Sequence, residues 1–143
     1  MCSSDLAQAS ATVEDPAHPP ASAFDGDENT WYGTGRQDEA KGESLTATFH
    51  EPFDLTGLRI YPGASSKDAQ ARPQQVEFLF VDADGGQFRE VVTLEDTYEP
   101  SFLRAKVHRL VKLHVTIDSA YGAGEGKQVA IREIRLFGSP SGR

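Results

Sequence analysis

An all-β fold, built as an antiparallel β-sandwich, is the class this chain predicts, on three observations. No segment keeps an apolar period of 3.6 residues over three helical turns. Short runs in which apolar and polar residues alternate recur instead, as half-buried strands do. Between them stand clusters of Gly, Pro and Asp, the residues of turns. At 143 residues the chain has the size of one domain and can bury a core without staples.

The elements follow in order. Residues 14–22, rich in Pro and Ala and without period, read as a loop. Leu45-Thr46-Ala47-Thr48-Phe49 alternates as a half-buried strand, and Pro52 is expected to close it. Leu58-Arg59-Ile60-Tyr61 is a second strand ended by Pro62-Gly63, and residues 63–73 form a long loop. Val76, Phe78 and Phe80 share one face of a strand over Val76–Val81. Asp82-Ala83-Asp84-Gly85-Gly86 then turns the chain into Phe88–Leu94, giving a hairpin. Residues 95–105 read as irregular. Val107–Ile117 is a long strand whose one face is apolar except at Arg109. A Gly-rich loop, Ser119–Gln128, leads to Val129–Phe137, where Glu133 falls on the same side as Val129 and Ile131.

Composition excludes several functions. With 22 acidic against 14 basic residues the net charge is −8, which argues against a nucleic-acid partner, because phosphate binding needs clustered Lys and Arg. No apolar run approaches the ~18 residues of a membrane span. Cys2 is the only cysteine, so no internal disulfide forms. Met1-Cys2-Ser3-Ser4-Asp5-Leu6 looks like a translated sequencing-adapter tail. On that reading residues 1–6 are an artefact, 7–138 the domain and 139–143 a tail, in a piece of a longer protein.

Ala23-Phe24-Asp25-Gly26-Asp27-Glu28-Asn29-Thr30-Trp31-Tyr32 is the most informative stretch. Asp25, Asp27 and Asn29 fall at positions 1, 3 and 5 of an EF-hand loop, but Thr30 replaces the required Gly and Arg36 the closing Glu. Glu133 would be costly to bury without a cation or an Arg beside it. A metal answers this; so does an Asx turn with a Glu–Arg pair. Trp31, Tyr32, Arg36, Tyr61, Arg72, Tyr98 and Tyr121 are loop candidates for a polar ligand, through aromatic faces and forked hydrogen bonds. The same side chains could equally be lids on the core or solvated cations. His18, His50, His108 and His114 read as solvated. No Gly-x-Ser-x-Gly elbow and no His-Glu-x-x-His is present, so the chain reads as noncatalytic.

Six pieces in order resemble the galactose-binding-like β-sandwiches, the discoidin or F5/8 type C domains. They are Ala9-Ser10-Ala11-Thr12, Asp25-Gly26-Asp27-Glu28-Asn29-Thr30-Trp31-Tyr32, Gly42–Phe49, Ile60-Tyr61-Pro62-Gly63, Arg72-Pro73 and Ile131-Arg132-Glu133-Ile134. Within that group the chain looks closest to bacterial glycan-binding modules that occur with NAD glycohydrolases. The resemblance implies a jelly roll whose ligand is held by loops at one end of the sandwich, with Trp31, Tyr32, Arg36, Arg72 and Tyr121 as contacts. It also implies a structural calcium ion held by Asp25, Thr30 and Glu133, with carbonyl help near Ala23 and Asp27. The expected role is a glycan-binding module of a larger secreted or membrane-anchored bacterial protein, at the cell surface or outside the cell. The alternative is a protein–protein interaction or structural accessory domain on the same scaffold.

Overall fold

The computed structural model describes residues 6–27, 29–36, 38–64, 70–124 and 126–140; for Leu6, Ala7 and Pro140 only the backbone is described. Seven strands form: β1 (Leu6–Ala11), β2 (Tyr32–Gly33), β3 (Ser44–Pro62), β4 (Arg72–Asp82), β5 (Gln87–Thr93), β6 (Ser101–Tyr121) and β7 (Ala130–Pro140). One 3₁₀ turn, Pro20–Ala23, precedes the Asp25 loop. All strand pairs are antiparallel, in the order β2-β7-β3-β6-β4-β5, with β1 added to β3.

Two long strands make the sandwich by serving both layers. The first half of β3 pairs with β1 and with the second half of β6. Its second half pairs with β7 and with the first half of β6. The crossover lies between Thr48 and Phe53, where the register breaks. Pro52 sits in that break, where a residue without an N–H costs no ladder bond. It therefore bends the strand and does not close it. Phe49 and Phe53 flank the bend edge to face, with centroids 5.1 Å apart.

The matching bend in β6 explains Arg109. Buried positions run Val107, Leu110, Leu113, Val115, Ile117, so the two-residue period is broken twice. Arg109 takes a φ of 60°, its N–H donates to Asp54 Oδ1 at 3.1 Å, and its carbonyl accepts from Ala83 N–H at 2.8 Å. The bulge lifts the cation out of the apolar face where strict alternation would have placed it. Strand β6 also begins at Ser101, inside the stretch expected to be irregular.

The main core cluster lies between the layers, with Phe24, Tyr32, Phe53, Phe78, Phe80, Leu110 and Ile134 among its buried members, and two smaller clusters form around Ile117 and Val129 and around Trp31 and Ala130. The bend in β3 and the returning strands bring residues 14–16, 33–36, 70–72, 121–123 and 126–130 to one end. Bonds from Thr34 N–H to Val129 O (3.1 Å) and from Ala71 N–H to Gln128 O (2.9 Å) tie that end together.

Candidate functional site

The Asp25 loop is built from consecutive Asx turns. Asp27 N–H donates to Asp25 Oδ1 at 3.0 Å, and Asn29 N–H to Asp27 Oδ1 at 2.8 Å. Thr30 Oγ1 donates to the Asp25 carboxylate and also lies 3.0 Å from the Asp27 carbonyl. Gly26, at a φ of 77°, turns its N–H onto both oxygens of Glu133, at 3.2 and 3.1 Å. Glu133 is 0% exposed, 107 residues away in sequence. It reaches the loop because the β3–β7 register skips Arg132, passing from Tyr61↔Glu133 to Pro62↔Ile131. Burial first, and the Asp25 carboxylate second, push the Glu133 carboxyl up to about 8, against the pull of Gly26 N–H and Arg135.

Two carboxyls, one hydroxyl and one carbonyl thus meet where the exposed loop closes over the buried Glu133. Among the described residues no three His, Cys, Asp or Glu side chains gather there. The set is nevertheless all oxygen, which suits a hard cation, and the like-charge neighbour beside a buried carboxyl is the imbalance a cation would relieve. The Asp27 side chain itself is exposed and turned to Asn29, so its contribution would be the carbonyl.

The two loop aromatics are not displayed. Tyr32 is 0% exposed, and its hydroxyl donates to Val13 O at 2.7 Å. It is a core residue, which corrects its expected role as a ligand contact. Burial pushes its phenol well above the usual range. Tyr32→Phe is expected to cost about 0.5–1.5 kcal/mol in chemical denaturation, with ligand binding unchanged. Trp31 is 7% exposed and stacked on His18, with centroids 3.4 Å apart. Its ring is covered, so it offers no open platform, and His18 is a packed residue where a solvated one was expected. His114 also departs from that expectation: it is half-buried, with Nδ1 2.8 Å from Thr46 Oγ1.

Arg72 and Tyr121 do come together, as direct partners between β4 and β6. Both are already engaged. The Arg72 guanidinium binds Asp96 (2.7 Å), Gln70 O (2.9 Å) and Tyr98 Oη (3.1 Å), and lies over the Tyr98 ring. Tyr121 Oη donates to Leu94 O at 2.9 Å. Arg36 is exposed and held by Asp38 (2.8 Å) and Glu43 (3.1 Å). These contacts fix loops.

The opening at this end lies beside them. A cleft of about 360 Å³ is lined by Glu14, Asp15, Pro16, Gly35, Gln70, Gly126, Lys127 and Gln128. Gln128 is its hub. Nε2 donates to Asp15 Oδ2 at 2.8 Å, Oε1 accepts from Gly35 N–H at 2.7 Å, and its own N–H donates to Gln70 Oε1 at 3.0 Å. Gln128, and then Ala17 N–H, hold the Asp15 carboxyl below the usual carboxylate range. The cleft therefore keeps an ionised acceptor, amide groups and an ammonium around one opening, which suits a ligand rich in hydroxyls. Asp15, Gln70 and Gln128 were not among the residues expected from sequence. The only signal for them was polar residues beside strand ends. Residues 65–69 and Glu125, part of the loops expected near this end, lie outside the described residues.

Fold and opening together define a β-sandwich module with a polar cleft between loops at one end. The profile of the F5/8 type C domain matches residues 7–134, and the chain belongs to that family. Solved structures of similar fold include the family 32 module of Clostridium perfringens NanJ in complex with galactose. That module is 20% identical over 94% of both chains, with a TM-score of 0.74. Another is CpGH89CBM32-5 of the same species with GalNAc-β-1,3-galactose, 16% identical over 94% of this chain and 96% of that one, TM-score 0.75. A third is the Streptococcus pneumoniae fucose binding module SpX-3, 16% identical over 93% and 95%, TM-score 0.71. No curated protein matches the chain. Among the described residues, no helix is long and apolar enough to cross a membrane.

Proposed function

We propose that this is a noncatalytic carbohydrate-binding module that takes a neutral sugar into the cleft around Gln128. The observation that carries the reading is the Asp15–Gln128–Gly35 hydrogen-bond chain, which fixes one acceptor carboxylate and one amide at the mouth of an open cleft. Paired hydroxyls of a sugar bind such fixed polar groups, and the rigid frame lowers the ordering cost. The similar modules solved with galactose, GalNAc-β-1,3-galactose and fucose support the choice of ligand class.

A structural calcium ion belongs to the same proposal. Asp25, Thr30 and Glu133, with the Asp27 carbonyl, would hold it; bound there, it would supply positive charge beside the buried Glu133 carboxylate. The loop it would fix runs directly into Trp31, Tyr32 and Gly35, so the ion would set the position of one cleft wall. In a larger bacterial protein, secreted or membrane-anchored, the module would serve as a targeting appendage.

A glycan array probed with the full chain, with and without calcium, tests the reading. Binding to a small set of galactose-, N-acetylgalactosamine- or fucose-ended glycans is expected. No signal on any glycan under either condition would sink it.

A further inference from the structure

Far more basic than the chain as a whole is the outer face of β3, β6 and β7. The registers place two rows side by side: Arg135–Arg59–Phe102, and Phe137–Gly57–Arg104. Alternate residues Leu58, Ile60, Ile134 and Leu136 point into the core, so these rows face outward. Neighbouring strands are about 4.8 Å apart and successive rows about 7 Å, so three guanidinium groups share a small area. Phe102 is 58% exposed. Its ring lies over Gly57, where a Cβ would come within 2.7 Å of it, so glycine is what lets the ring settle on the sheet. Phe137 packs against Phe102, with centroids 6.1 Å apart, and lies under the Arg59 guanidinium at 5.5 Å.

Among the described residues neither Arg59 nor Arg104 has a carboxylate partner. Glu133 lies one row beyond Arg135 on the same side of β7, but it is 0% exposed and taken by the Asp25 loop. Glu99, two residues before β6, and Asp54, held by His108 at 2.7 Å, stand at the ends of the face. In a chain of net charge −8, unpaired arginines on one flat face mark where an anion is attracted. A guanidinium stacked on a ring keeps its N–H edges free and pre-aimed.

We propose that this face binds an anionic polysaccharide, apart from the neutral-sugar cleft. Its carboxylate or sulfate groups meet Arg59, Arg104 and Arg135, and a ring face rests on Phe102. The acidic remainder of the surface favours this occupant over nucleic acid. A duplex carries about one charge per 1.7 Å and would be repelled wherever it leaves the patch. A polyuronate carries one charge per sugar and offers C–H faces to an exposed aromatic ring.

The test is affinity electrophoresis of the full chain through gels containing polygalacturonate, chondroitin sulfate or neutral galactan, beside a titration with single-stranded DNA. Retardation by one of the two acidic polymers is expected, and which one identifies the anion. Arg59→Gln with Arg104→Gln should weaken that retardation about tenfold, and Phe102→Ala about threefold. Melting temperatures should be unchanged in both variants, and any galactan binding should be untouched, which separates this face from the cleft. Three results would overturn it: no retardation by either acidic polymer, retardation that survives the double substitution, or DNA bound as tightly as polysaccharide.

Discussion

In a chelator, the protein is expected to lose stability as pH rises from about 5 to 8, and calcium is expected to restore it. The folded Glu133 carboxyl titrates near 8 against an ordinary 4.5. Between those values the folded state holds a proton that the unfolded chain has released. The stabilising contribution is therefore complete below pH 4.5 and lost as pH climbs through 8. At 1.36 kcal/mol per pH unit the loss is at most a few kcal/mol. Calcium reverses the sign, because it binds the carboxylate form and competes with the proton. At 10 mM calcium and a dissociation constant of roughly 10⁻⁴–10⁻³ M, the gain is about 1.4–2.7 kcal/mol. The rise in melting temperature should thus be larger at pH 8 than at pH 5. Glu133→Gln removes the charge and keeps the shape. It should be more stable than the parent at pH 8 in chelator and should not respond to calcium. Scanning calorimetry over this pH range decides the matter. A flat chelator profile for the parent, or a full calcium response in the variant, would contradict the account.

Phe53→Ala is expected to be the most damaging single truncation in the bend. Phe53 is 0% exposed, packs edge to face on Phe49, and sits where β3 passes from one layer to the other. Losing the ring removes its burial and leaves a cavity that the paired strands cannot close, at about 3–5 kcal/mol. For a domain of this size the melting temperature should fall by roughly 10–20 °C. A fall of a degree or two would show that the bend is held by its backbone alone.

These results follow from features that differ in how far the sequence reveals them. Alternation in Val76–Val81 gave a strand with Val76, Phe78 and Phe80 buried, as local patterning dictates. Pro52 and Arg109 misled, because a bulge is settled by what pairs across it, and no local pattern reports that. The same holds for Arg132, whose skipped register takes Glu133 off the core face of Ile131 and sets it on the Arg135 side of β7, against the Asp25 loop. Resemblance to the family made Asp25, Thr30 and Glu133 legible as one group. Trp31 and Tyr32 could be read either as platform or as core from their loop position, and packing made them core. Asp15 and Gln128 stayed hidden because they are 113 residues apart and meet only once the fold is closed.

The most direct test of the central claim is an amide-resolved NMR titration of the full chain with galactose, N-acetylgalactosamine and fucose. The account predicts saturable shifts at Gly35, Gly126, Lys127 and Gln128 for at least one sugar, with Gly57 and Phe102 unmoved. Shifts confined to other parts of the sandwich, or none with any of the three sugars, would contradict it.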